Sequence, residues 1–539
     1  MPLKDDLLRK GYLPDNVPPT FSSAPIADFF QLVEPPPGYL MEPNRPLRAA
    51  TYNASKRGLT RRMFSAIHPV TAHDMAEFVA SRWNEIIGFC AKSDISYSIP
   101  EHHEDADRAI VINSHSAMEN EKLNRLSSFR FIVGTDIARF YHSIYTHSIP
   151  WAFHGKATAK SDKGVNSTQV FFNKADALIR NGQDGQTVGL PVGPDTSRIF
   201  AEMIATAVDL EFENRIERID YSALRHVDDV WIGTNSHADA EKALSCYREA
   251  IREFELDINE NKTRILAEDF GYTDFWPSEV SSQIEFAIST PGSRAKERLR
   301  SALENCFAMA VRRRDDGVLR FVLRYVDQNG LSRIHWDVTE PFLKRSAVHF
   351  GHTIDYVARI LVWRHLAHDD LEINSWKPIL GTILDKHGRL GNDSEVCWTI
   401  YLHHVLGIEI SQDVARRIVR NCGALAVVAL LHSVNAGLLN EDTFEDAEER
   451  LSTETDNGRF WPIFLEWKSM QWPRHERIAV TNHIIEGLSA YGVSLYKVTA
   501  LPAVFHNLDE VNFGEVEFAI ESHSSMYDED EEENDNDSS

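Results

Sequence analysis

Long apolar runs are missing from this sequence. The longest, residues 424–431, is far short of the about 20 residues that a membrane-spanning helix needs. Polar Lys4, Asp5 and Asp6 stand where a signal peptide requires a basic and then an apolar stretch. The expectation is a cytoplasmic protein with no membrane partner. Cysteine is scarce too: Cys90, Cys246, Cys306, Cys397 and Cys422 are far apart, which excludes a zinc knuckle and a disulfide framework and leaves them as buried apolar side chains. A basic balance is also lacking. The net charge of -25 argues by itself against a phosphate-backbone partner. Eight acids, however, sit in residues 528–537, outside any folded surface, and basic residues cluster at 56–62 and 312–314. Net charge therefore does not exclude nucleic acid.

What is present is material for several cores. The chain has 539 residues, of which 43% are hydrophobic and 10% aromatic, against a usual domain length of roughly 150 residues. Residues 1–50, with Pro35, Pro36, Pro37, Pro43 and Pro46, read as an extended lead-in lying against a domain. Residues 51–290 mix strand-like and helical patterns and predict an α+β unit. Successive amphipathic stretches fill 291–513 and predict an all-α, repeat-like domain without a fixed period. Residues 514–539 form an acidic, low-complexity tail expected to stay disordered.

The chemistry lies in the α+β unit. Phe131, Val133 and Thr135 alternate with Ile132, Gly134 and Asp136, so a strand delivers Asp136 at its end. Two largely apolar stretches, 223–227 and 230–234, flank Asp228 and Asp229 and predict a hairpin with both carboxylates at its tip. An Asp-Asp pair alone is an ordinary turn former. A strand-end Asp beside such a hairpin is different, because hard carboxylate oxygens suit two magnesium ions, with manganese as the substitute. Two ions about 4 Å apart stabilise the attacking 3′ hydroxyl and departing pyrophosphate oxygen of nucleotidyl transfer together. On this reading Asp136 and Asp228 bridge the metals, the Ile137 carbonyl helps, and Asp229 supports the site. A Gly-Pro loop at residues 189–197 runs into an amphipathic helix suited to bed a template base and a nucleotide, and Lys262 is placed to approach phosphate.

Four ordered segments resemble the palm motifs of reverse transcriptases: motif A at 136–144, B at 189–197, C at 226–229 and D at 254–263. More narrowly, Tyr145-Thr146-His147-Ser148-Ile149-Pro150-Trp151-Ala152 with His154-Gly155-Lys156, and Gly193-Pro194-Asp195-Thr196-Ser197, resemble bacterial defence-associated, abortive-infection reverse transcriptases. The resemblance implies a fingers and palm domain joined to a helical-repeat domain. It implies an RNA-directed or untemplated DNA polymerase in antiphage defence, using deoxynucleoside triphosphates and an RNA template. Protein priming with covalently attached DNA product, and symmetric homo-oligomers, belong to the same family. The resemblance assigns Tyr141 as the aromatic gate against a ribose 2′ hydroxyl, Val192 and Gly193 to the nucleotide-facing loop, and Arg62 to the fingers residues that hold triphosphate. Two positions depart from the pattern: His226 replaces the usual Tyr of motif C, and Val192 the usual Gln of motif B.

Each of Lys56, Arg57, Arg61 and Arg62 is as compatible with a solvated basic face as with a triphosphate clamp. His102 with His103, and His365 with His368 and Asp369, read as surface polar clusters rather than metal sites. Two other functions compete: a retron or group II intron-like mobile-element enzyme that copies a defined RNA, and a protein-binding scaffold with a vestigial palm.

Overall fold

Period-two alternation becomes a four-stranded antiparallel sheet of order β4-β5-β3-β6, made of β3 (Phe131–Asp136), β4 (Tyr221–His226), β5 (Asp229–Thr234) and β6 (Arg264–Ala267). The computed structural model describes residues 2–33, 47–56, 58, 60–267, 276–289, 294–330, 335–368 and 370–503. The acidic tail, the prolines from Pro35 to Pro46, Arg57 and Asp369 lie outside them. Registers of Asp136 with Asp229, and of His226 with Asp229, bring the ends of β3, β4 and β5 together. The His237–Arg252 helix, capped at its start by the Ser236 hydroxyl, covers β3 and β5. Phe212 on the Asp195–Arg215 helix meets Tyr247 and Tyr221 edge-on, both at 5.7 Å, and joins that helix to the sheet. A second sheet is the hairpin of β1 (Ala50–Ser55) and β2 (Arg61–Ala66).

The described part of the lead-in, residues 2–33 and 47–50, is not simply extended. Pro2–Arg9 and Ala24–Leu32 are helices, because Leu3, Leu7 and Leu8, and Ile26, Ala27, Phe29 and Phe30, fall on buried helical faces, while proline in the first turn of the second helix assists it. The segment lies against two units at once. Asp195 N donates to Gly11 O at the palm, and Phe21 packs on Tyr496, with ring centroids 5.0 Å apart, at the far end of the chain.

The division at residue 290 also shifts. The Trp276–Ser289 helix buries Trp276, Val280 and Ile284 in the same core as the Ala295–Arg313 helix, so the helical region starts before 290. Beyond Leu384 most buried apolar residues join the core of the palm, and Trp461 Nε1 donates to Ala66 O, while Trp398, Tyr401, Leu402, Leu406 and Ile408 stay in the Trp276 core. Sequence periodicity shows that a helix has a buried face but not which neighbour buries it. Among the described residues every element beyond 276 is helical, and successive helices stack pairwise, Ile373–Leu390 on Asp393–Leu406 and Gln412–Asn421, and Asp393–Leu406 on Ala424–Asn435. No described helix is long and apolar enough to cross a membrane.

Candidate active site

Asp136 ends β3 because the alternation of that strand places it beyond Thr135, at an end that β5 still pairs, through Asp229, while β6 pairs only as far as Gly134. It is 4% exposed. Its backbone carbonyl accepts from Asn259 N at 2.9 Å, and Oδ2 is 3.1 Å from Lys262 Nζ. Its Oδ1 is buried without a hydrogen-bond partner, a costly state for a carboxylate unless a cation completes it.

β4 and β5 are joined by Val227 and Asp228 alone. Asp229 therefore does not share the hairpin tip as its position beside Asp228 predicts. It opens β5, directly across from Asp136, because a two-residue loop leaves room for only one of the pair. Cross-strand partners of this kind have Cβ atoms about 5 Å apart. Asp228 O accepts from Ile137 N at 3.2 Å, tying the turn to the end of β3. Val227 has φ +54, the left-handed region that a β-branched residue rarely occupies.

The other expected residues are placed as follows. Ile137 is fully buried and bridges Ile258. Tyr141 is half-buried, meets Phe140 edge-on at 5.7 Å, and accepts from Leu190 N at 2.7 Å, which ties it to the Gly-Pro loop. Val192 turns its side chain into the core, and its carbonyl accepts from Ser65 N on β2. Gly193 has φ +121, and a Cβ there would lie 3.1 Å from Pro14 Cγ. Any nucleotide contact of these two is therefore through backbone. Lys262, expected to reach phosphate, is ion-paired to Asp136. Arg62 lines a small cavity with Lys56, Asp15, Arg320 and His352. Burial first, then Arg139 and Arg62, hold the His142 imidazole below its ordinary value. Arg61 points elsewhere: it grips Glu395 of the helical region through two nitrogens. His102 and His103 pair with separate acids, Asp6 and Glu101.

Burial holds the His226 imidazole below its ordinary value, against the opposing effect of the hydrogen bond that its Nε2 donates to the Asn113 carbonyl at 2.8 Å. Sequence reasoning missed Arg225. It is fully buried and binds Asp209 and Glu202 of the Asp195–Arg215 helix. An Arg in an apolar strand, after Ala223 and Leu224, was the available signal.

Among the described residues no three His, Cys, Asp or Glu side chains are gathered into a metal-holding group. The orphaned Oδ1 of Asp136, a residue paired in register with Asp229 beside the turn that carries Asp228, nonetheless fits a hard divalent cation, which prefers carboxylate oxygen.

Residues 55–286 match the family described as reverse transcriptase (RNA-dependent DNA polymerase). A curated relative, the retron Ec73 reverse transcriptase of Escherichia coli, is 24% identical over 192 residues, covering 35% of this chain and 58% of the relative. The chain thus spans less than two thirds of that relative's length. Two solved structures are similar at low level: apo telomerase from Candida tropicalis, with 11% identity, 88% of this chain and 72% of that one covered and a TM-score of 0.31, and telomerase from Candida albicans in complex with a fragment of telomeric RNA, with 10%, 65%, 66% and 0.29. All three aspartates fall inside the segment that matches the reverse transcriptase family.

Proposed function

We propose that the protein is a reverse-transcriptase-like DNA polymerase, an RNA-directed nucleotidyltransferase that joins deoxynucleotides at Asp136, Asp228 and Asp229. The observation that carries this reading is the register of Asp136 against Asp229, with Asp228 in the adjoining turn, inside the segment that matches the reverse transcriptase family. These carboxylates would hold two magnesium ions, which supply charge stabilisation for the attacking and leaving oxygens. The chain's own contribution is placement. The Ile137 to Asp228 bond locks the turn to β3, and Lys262 offsets part of the Asp136 charge. Tyr141, tied to the Gly-Pro loop through its carbonyl, stands as the gate that favours deoxyribonucleotides.

The antiphage role, protein priming with covalently attached DNA, and homo-oligomers rest on the resemblance of residues 145–156 and 193–197 to defence-associated enzymes. The retron relative supports the competing mobile-element reading. Sequencing nucleic acid that copurifies with the protein separates them: a single structured RNA copied from one site favours the retron-like enzyme. The polymerase reading itself is tested with purified protein, labelled deoxynucleotides, magnesium or manganese, and several templates or none. Incorporation that disappears in Asp228→Asn is expected. Folded wild-type protein that incorporates nothing under all these conditions overturns it.

A further inference from the structure

We infer that Arg225, Ser98 and Glu202 are positioning residues for the Asp228–Asp229 turn, and that they set the protein's affinity for divalent cations by fixing the backbone of Val227. This rests on the two-cation reading proposed above.

A β-branched residue at φ +54 persists only where its surroundings over-determine it. Here both polar backbone groups of Val227 are taken. Its N–H donates to Ser98 Oγ at 2.9 Å, and its carbonyl accepts from Arg225 Nη1 at 3.0 Å. The two clamping groups are themselves held. Ser98 Oγ donates to Glu202 Oε2 at 3.0 Å, and Arg225 donates to Glu202 at 2.9 and 2.7 Å and to Asp209 at 2.9 and 2.7 Å. Arg225 and Asp209 are fully buried and Glu202 is nearly so. Water can replace none of these bonds.

The acids lie seven residues apart on one face of the Asp195–Arg215 helix, whose first residue, Asp195, follows directly on the Gly193-Pro194 loop. The turn that carries Asp228 and the loop after Leu190 are therefore fixed to one rigid helix. A purely stabilising ion cluster would not need to reach the Val227 backbone. This one ends on it from both sides.

Manganese binding to the full chain, followed by electron paramagnetic resonance, tests the inference without requiring turnover. Asp228→Asn identifies the signal that belongs to the site. Ser98→Ala is expected to weaken that binding by about tenfold or more, the usual effect of losing a group that orients a metal ligand, and Ser98→Thr to restore it. Glu202→Gln, which keeps the shape, is expected to weaken it in the same direction. Ser93→Ala is the control, since Ser93 donates to Asp209 at 2.7 Å but does not touch Val227. It is expected to lower the melting temperature while binding manganese as the wild type does. Wild-type affinity in both Ser98→Ala and Glu202→Gln, or equal weakening in Ser93→Ala, overturns the inference. Wild-type protein that binds no manganese overturns the two-cation reading beneath it.

Discussion

Replacing Glu395 by Gln should loosen the grip of the helical region on the β1–β2 hairpin. Glu395 is 1% exposed and accepts from Arg61 Nη1 at 2.5 Å, Arg61 Nη2 at 2.8 Å and Ser55 Oγ at 2.5 Å. Glutamine keeps the volume but removes the charge and turns one acceptor into a donor aimed at a guanidinium. Breaking a fully buried pair costs about 3–5 kcal/mol. Arg61 is 26% exposed, so water recovers part of its loss. The net expectation is about 2–3 kcal/mol.

Burial alone would raise the Glu395 carboxyl, but hydrogen bonding and charge from Arg61 hold it below its ordinary value. A depressed carboxylate contributes stability above its unfolded value and loses it as pH falls through the folded one, so pH 7 shows the full effect. Calorimetric melting of Glu395→Gln, Arg61→Met and a Glu395→Met/Arg61→Met double variant measures it. The double variant should be less destabilised than the sum of the two singles, because neither ion is then left alone. A cost of Glu395→Gln below about 0.5 kcal/mol refutes the reasoning. So does Arg61→Met that melts normally but raises the deoxynucleotide KM, since Arg61 would then belong to the triphosphate.

Acid should destabilise the fold through buried neutral histidines. Burial pushes His68, His387 and His403 down to about 4; the unfolded chain takes up these protons near pH 6.5 while the folded one does not, so each costs about 2 kcal/mol between pH 7 and pH 5, read as a falling melting temperature. Gly11→Ala puts a Cβ 2.8 Å from Asp195 Oδ2 and 2.9 Å from Ala109 Cβ. A loss of about 1–3 kcal/mol in thermal unfolding is expected, and an unchanged melt would mean that the amino-terminal segment does not dock on the Asp195 helix. Tyr141→Ala should raise ribonucleotide relative to deoxyribonucleotide incorporation on the order of 10-fold to 100-fold; equal discrimination in the variant removes Tyr141 as the gate.

The amino-acid sequence by itself determined the local elements of the site. Alternation in residues 131–136 requires a strand that ends at Asp136, and an Asp pair between two apolar stretches requires a hairpin. Those signals are short-range, a matter of neighbouring side chains and turn chemistry, and so they survive without tertiary information. Register is not short-range. Only the folded sheet decided that Asp229, rather than Asp228, stands opposite Asp136, because a two-residue loop shifts the pair by one position. Partner choice among charges is long-range as well. Arg61 lies 334 residues from Glu395, and Arg225 lies 23 and 16 residues from its acids Glu202 and Asp209; nothing in the local sequence of either arginine reveals which carboxylate it meets. The amino-terminal helices show the same division, since their apolar spacing is legible in Leu3, Leu7 and Leu8, while their place between Asp195 and Tyr496 exists only once the whole chain has packed.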